Sequence, residues 1–164
     1  MGREAALAGT LSFVPSTERG ATLAMRFADT AVVVANPEIS SVRDSDWIIG
    51  LLDSKTVKAE KGERIDKHLL ITRYDPGRAA RGEMLKTEDV LEILSIPLLG
   101  IIPESEDVLR ASNIGSPVTL NEPGSTAAKA YFDAARRLRG EKLEVVVPIE
   151  RKGLMSRLFG RRVA

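Results

Sequence analysis

An α/β fold with a mostly parallel sheet is predicted by three features of the sequence. Short apolar runs rich in Val, Ile and Leu occur in series, at Ala31–Ala35, His68–Thr72 and Ile96–Ile102. Each is continuous rather than alternating, which is the pattern of a strand buried on both faces, as in parallel sheets. Capped amphipathic segments separate the runs, so the order is strand, helix, strand, helix, strand, helix, and such an order closes into parallel pairs.

Residues 1 to 17 carry alanines, glycines and Leu-Ser-Phe-Val-Pro-Ser-Thr without a clear period, and a poorly packed start is expected. From Glu18 onward, Ala21, Leu23, Ala24, Phe27 and Ala28 have helical spacing and lead into the first strand. Asn36-Pro37-Glu38 breaks that strand. Ser40 or Ser41 then caps a helix to about Ser54, with Val42, Ile48, Ile49, Leu51 and Leu52 on its buried side. Trp47 reads as a packing residue rather than a ligand stacker. The charged stretch 55–67 reads as a solvated connection, and His68 as a surface or cap residue rather than a base.

Tyr74-Asp75-Pro76-Gly77 has turn chemistry, its proline fixing one dihedral and its glycine free to take positive φ. Arg73, Arg78 and Arg81 around it fit either a solvated loop or a contact to nucleotide or partner. Thr87 can cap a helix that has Glu88 and Asp89 in its first turn, where acids are favourable. Ser105 opens another, to Asn113, closed by Gly115-Ser116-Pro117. Val118-Thr119-Leu120 reads as a short edge strand or extended segment. Ser125 caps a last helix to Arg139, with Ala128, Tyr131, Phe132, Ala135 and Leu138 inward and Gly140 as its stop. Ligands of parallel sheets collect beyond the carboxyl ends of the strands. The loops Asn36-Pro37-Glu38, Thr72-Arg73-Tyr74 and Ile102-Pro103-Glu104 belong there, where backbone groups and apolar walls can grip a purine.

Residues 141–150, with Val145-Val146-Val147-Pro148, read as a tether to a distinctive end. Wound as a helix, residues 151–164 gather Leu154, Met155, Leu158 and Phe159 on one arc. Arg151, Lys152, Arg157, Arg161 and Arg162 flank it, with no acid among them. That layout fits an interface apolar in depth and negative on top, the surface of an anionic membrane. Four inserted side chains at roughly 1.5–3 kcal/mol each nearly cancel the ordering of about ten residues at about 1–2 kcal/mol apiece. Each basic residue near anionic lipid adds about 1 kcal/mol. One copy should therefore bind weakly and reversibly, and two held together much better. A frayed basic end, or a helix docked on its own domain, is the bland alternative.

Composition excludes several classes. The formal charge is +1, with 24 basic and 23 acidic residues. Without the five basic residues of the tail, 19 basic residues face 23 acids, a formal −4, so the body is no nucleic-acid binder. There is no cysteine and a single histidine, which argues against thiolate or histidine metal centres. No run of eighteen apolar residues and no signal-peptide core occurs, so neither a span nor export is expected. No glycine-rich loop ending in Lys-Ser or Lys-Thr follows a strand, so the chain alone is expected to bind nucleotide poorly and hydrolyse none. No serine elbow accompanies the histidine, and a catalytic triad is not credible.

Six stretches together resemble a known family. They are Glu18-Arg19-Gly20-Ala21, Asn36 to Asp46, Thr72-Arg73-Tyr74-Asp75-Pro76-Gly77-Arg78, Glu88 to Leu94, Gly100 to Glu104 with Val108 to Asn113, and Lys152 to Arg162. In this conjunction the chain, over about residues 18 to 164, is similar to the C-terminal half of the bacterial septum-site-determining ATPases of the ParA/MinD deviant Walker A family. The resemblance implies part of a three-layer P-loop-type fold plus a C-terminal amphipathic helix. Its domain division is an atypical start (1–17), the C-terminal part of the ATPase domain (18–140), a linker (141–150) and a membrane-targeting helix (151–164). It implies division-site placement by a protein that binds ATP and Mg, forms a homodimer, recruits MinC, responds to MinE and lies on the inner face of the cytoplasmic membrane. By similarity, Thr72, Arg73, Pro103 and Glu104 face the adenine. Leu154, Met155, Leu158 and Phe159 are the inserting side chains, and Lys152, Arg157, Arg161 and Arg162 the headgroup contacts. The sequence departs from the family at Leu11-Ser12-Phe13-Val14-Pro15-Ser16-Thr17, where members carry an acid-containing γ-phosphate-sensing segment. The Walker A, magnesium and hydrolytic-water positions map onto nothing here. The expectation is a truncated chain, inactive alone, with a non-enzymatic membrane-binding fragment that interferes with a full-length homologue as the alternative.

Overall fold

The computed structural model describes residues 25 to 149. The start at 1–17, the Glu18–Ala28 helix up to residue 24 and the amphipath 151–164 lie outside the described residues. Three strands, β1 (Thr30–Ala35), β2 (Asp66–Tyr74) and β3 (Leu98–Pro103), form one parallel sheet in the order β1-β2-β3. The α/β class with a parallel sheet is therefore the observed one. Between and after the strands come α1 (Ile39–Ser54), α2 (Val57–Glu60), α3 (Pro76–Ala80), α4 (Thr87–Leu94), α5 (Glu106–Asn113), α6 (Val118–Asn121) and α7 (Thr126–Leu138).

Contacts divide the described chain into two compact units, residues 25–31 with 47–66, and residues 32–46 with 67–149. In the smaller unit Thr56 is fully buried and caps α2: its hydroxyl accepts from Ala59 N (3.1 Å) and donates to Leu52 O (3.1 Å). Ile49, Leu52 and Ile65 are buried there too, so the stretch expected to be a solvated connection contains a helix and a core residue. Trp47 is 47% exposed, which corrects its reading as a packing residue.

In the larger unit the core is Leu69 and Ile71 of β2, Leu99, Ile101 and Ile102 of β3, and Val90 and Leu94 of α4. β1 departs from its expected double burial: Val33 and Ala35 are buried, whereas Val32 and Val34 are 39% and 57% exposed. It is one of the two edge strands, and only one of its faces is packed among the described residues. Strand β2 begins at Asp66, two residues before the expected start, so His68 sits inside it and is half-buried.

Three helix starts follow different rules from those expected. The Ser41 hydroxyl accepts from Asn36 N (3.0 Å) and holds the strand end against the helix start; α1 itself begins at Ile39. Thr87 is the first helical residue of α4 rather than its cap. The Asp89 carboxylate accepts from Lys86 N (3.1 Å), while the Thr87 hydroxyl is buried without a hydrogen-bond partner. Val118 to Asn121 is a helical turn rather than a strand, because Val118 packs with Ala111 and Ala128 and Glu122 N closes onto Val118 O (2.8 Å). Ser105 and Ser125 do cap α5 and α7, accepting from Asp107 N (3.2 Å) and Ala128 N (3.1 Å).

Helix α7 packs on β3, and its inner face is partly rotated from the expected one: Ala128 is buried and Tyr131 packs beside it as expected, Ala127 and Ala134 are buried as well, while Phe132, Ala135 and Leu138 are exposed. The reason is a close approach at Gly100, where a Cβ would meet Ala134 Cβ at 3.2 Å and Leu70 Cδ1 at 3.4 Å. Small residues face the strand, and the bulky ones are turned away. Because Ala134 Cβ is fixed to the helix backbone, Gly100→Ala should lift α7 and destabilise the protein by about 1–3 kcal/mol. Urea unfolding measures this as a lowered midpoint, and an unchanged midpoint would mean that α7 is not tightly seated.

Candidate functional site

The carboxyl ends of the three strands meet at one edge of the sheet. The β2–β3 register pairs Tyr74 with Pro103, and Glu104 N donates to Tyr74 O at 2.9 Å, so the two chains leave the sheet side by side. From β1, the Asn36 side-chain oxygen accepts a 2.9 Å hydrogen bond from the Thr72 hydroxyl. Pro37, fully buried, offers its carbonyl to Leu85 N (3.0 Å). The middle loop, Thr72-Arg73-Tyr74, is thus in contact with each of the other two singled out from sequence.

Arg73 carries the local strain. Its φ is +57°, a left-handed conformation for a residue with a side chain, which costs on the order of 1–3 kcal/mol and is typically held in place by surrounding structure. Here Tyr74 is buried and its carbonyl is bonded, so the chain must turn sharply at Arg73. The turn places the guanidinium beside Glu104: Nε and Nη2 lie 3.3 and 3.2 Å from the same carboxylate oxygen. Arg78 Nη1 stands 4.0 Å from the other oxygen. Arg73 and Glu104 are exposed and Thr72 and Pro103 half-buried, so the residues expected to face adenine form an accessible rim.

The expected turn at Tyr74–Gly77 is instead the start of α3. Asp75 is its cap, one carboxylate oxygen accepting from Gly77 N (2.8 Å) and Arg78 N (3.0 Å). Pro76 in the first turn loses no hydrogen bond there. Gly77 does not use positive φ; the unusual dihedral falls on Arg73. Asn36 was read only as part of a loop, and Arg81 only as one of three arginines around the turn. Asn36 bridges β1 to β2, and an Asn at a strand end before Pro was its only signal. Arg81 pairs with Glu83 (2.7 Å), and this hydrogen bond, aided by the charges of Arg81 and Arg78 and opposed by desolvation, holds the Glu83 carboxyl below its ordinary value.

The rim presents both polar and apolar groups. The Asn36 oxygen is taken by the Thr72 hydroxyl, the strand ends carry backbone groups, and Pro103 is a half-buried apolar neighbour. The eight residues assigned to the membrane, Lys152, Leu154, Met155, Arg157, Leu158, Phe159, Arg161 and Arg162, lie outside the described residues. Among the described residues no helix is long and apolar enough to cross a membrane.

No family model matches the chain. Among curated proteins, the septum site-determining protein MinD of Escherichia coli is 55% identical over 145 residues, 87% of this chain and 53% of the relative. The chain spans about half the length of the curated relatives it matches. Among solved structures, a MinC:MinD cell division protein complex of Aquifex aeolicus is similar at 38% identity with a TM-score of 0.64, over 75% of this chain and 47% of that one. A Pyrococcus horikoshii MinD complexed with Mg-ADP is 26% identical with a TM-score of 0.55, over 67% and 41%.

Asp75→Ala should cost about 1 kcal/mol, the usual worth of a helix cap, read as a lower urea midpoint; no loss would mean that α3 is held by packing alone. NMR titration of Glu83 should give a midpoint below the ordinary glutamate range that Arg81→Ala raises. An unmoved midpoint would break that assignment.

Proposed function

We propose that this chain, which is similar to MinD proteins over the portion it shares with them, serves in placing the division site, as a nucleotide-facing α/β domain held on the inner face of the cytoplasmic membrane by its terminal amphipath. The observation that carries this reading is the convergence of Asn36, Thr72, Arg73, Pro103 and Glu104 at one end of a parallel sheet. ATP with magnesium supplies the cleavable phosphoanhydride of such a cycle. The residues of this chain bind and orient its purine end: Thr72 fixes Asn36, the Arg73–Glu104 pair fences the rim, and Pro103 walls one side.

No phosphate-binding loop is among these 164 residues, so affinity for nucleotide rests on the purine contacts and is weak. MinC, MinE and a second copy of the family are the proposed partners. The A. aeolicus MinC:MinD complex supports the first. Lys152, Arg157, Arg161 and Arg162 meet lipid phosphates while Leu154, Met155, Leu158 and Phe159 enter the acyl boundary. Attachment then strengthens whenever two tails are held together, which is how dimerisation controls residence on the membrane.

Co-sedimentation with vesicles rich in phosphatidylglycerol tests the anchor. The full chain should bind, and Leu158→Glu or Phe159→Glu should abolish binding, since each replaces an inserted apolar group of about 2 kcal/mol by a charge. Equal binding to neutral vesicles, or unchanged binding by the variants, would contradict it.

A further inference from the structure

The segment after α7 is held to the domain chiefly by the side chain of Arg137. Arg137, in the last turn of α7, donates from three nitrogens to three backbone carbonyls: Nη1 to Leu99 O in β3 (3.0 Å), Nε to Leu143 O (2.9 Å) and Nη2 to Glu144 O (2.6 Å). The guanidinium passes over Gly100, where Nη1 lies 3.4 Å from the place of a missing Cβ. A larger residue at 100 would displace it. Around the clamp, Gly140 turns the chain at φ +91°, and Arg136 fastens Glu141 through its carboxylate (2.8 Å). Beyond, Leu143 and Val145 are half-buried and alternate with exposed Glu144 and Val146. Residues 141–149 form no helix or strand, so their position rests on these contacts rather than on a ladder.

We propose that Arg137 is a positioning residue that fixes where the tether to the terminal amphipath leaves the domain, by gripping the carbonyls of Leu143 and Glu144 against β3. The clamp shortens the free leash from residues 141–150 to residues 145–150. At full stretch that is about 20 Å instead of about 35 Å. Where two tails are held on one surface, effective concentration falls as roughly the −3/2 power of leash length, so the shorter leash improves joint attachment about twofold. A lysine cannot replace the arginine, since a single ammonium cannot span three carbonyls in a fixed plane. This consequence rests on the lipid-anchor reading; the clamp does not.

Limited digestion of the full chain with a glutamate-specific protease tests the clamp, because the carbonyl cleaved after Glu144 is the one that Nη2 holds. Arg137→Ala and Arg137→Lys should each speed that cut by about tenfold or more, the effect of losing charged hydrogen bonds in a locally opening segment. Cleavage after Glu106, in α5, should keep its rate. An unchanged rate at Glu144, or equal acceleration at both sites, overturns the proposal, the second because it reports general loosening. On phosphatidylglycerol vesicles, binding by the variants should weaken about twofold. Equal binding overturns the leash argument, whereas a parent chain that ignores vesicles sinks the anchor reading and leaves the digestion to decide the clamp.

Discussion

Parallel pairing ends all strands of a sheet at the same edge, and the geometry of this protein follows from that constraint. With Tyr74 opposite Pro103 and β1 beside β2, three loops far apart in sequence leave the same edge of the sheet, the middle one hydrogen-bonded to each of its neighbours. Antiparallel pairing of the same runs would send adjacent loops to opposite edges. The Asn36–Thr72 and Arg73–Glu104 contacts are therefore products of topology first and of side-chain chemistry second. The left-handed Arg73 is where the constraint falls on a single residue: the register binds the backbone on both sides of it, and the chain turns at the residue between.

Helix α7 is the counterpart on the packed side. Its alanines meet Gly100, and this close approach brings Arg137 near enough to reach Leu99 in the strand and Leu143 and Glu144 in the following segment. One helix thus seats the strand that ends at Pro103 and also holds Leu143 and Glu144 of the segment that follows it. The proposed purine rim and the proposed leash share a support without sharing a contact.

The sequence made the parallel α/β class legible because the apolar runs are short, continuous and bounded by caps, and the caps at Ser105 and Ser125 sit where their side chains can accept only from a helix start. The meeting of the three loops was legible for the same reason, since it follows from strand order alone. What was not legible depends on distance rather than on pattern. The rotation of α7 depends on a glycine in another element. The placement of positive φ on Arg73 rather than Gly77 depends on Asp75 capturing two amide hydrogens. Val118 to Asn121 became helical because Val118 had a pocket between Ala111 and Ala128, and Trp47 lies exposed although its composition marks a core residue. Arg137 had no sequence signal at all, because its partners are carbonyls and any residue can supply those.

The central claim is that the three strand ends form one purine-facing rim. Adenosine diphosphate titrated into the isotopically labelled full chain tests it most directly, by NMR. The account predicts that the backbone amides of Asn36, Thr72, Arg73 and Glu104 shift together along a single saturation curve while those of α4 stay fixed. No shift at those four, or shifts confined to another part of the chain, would contradict it.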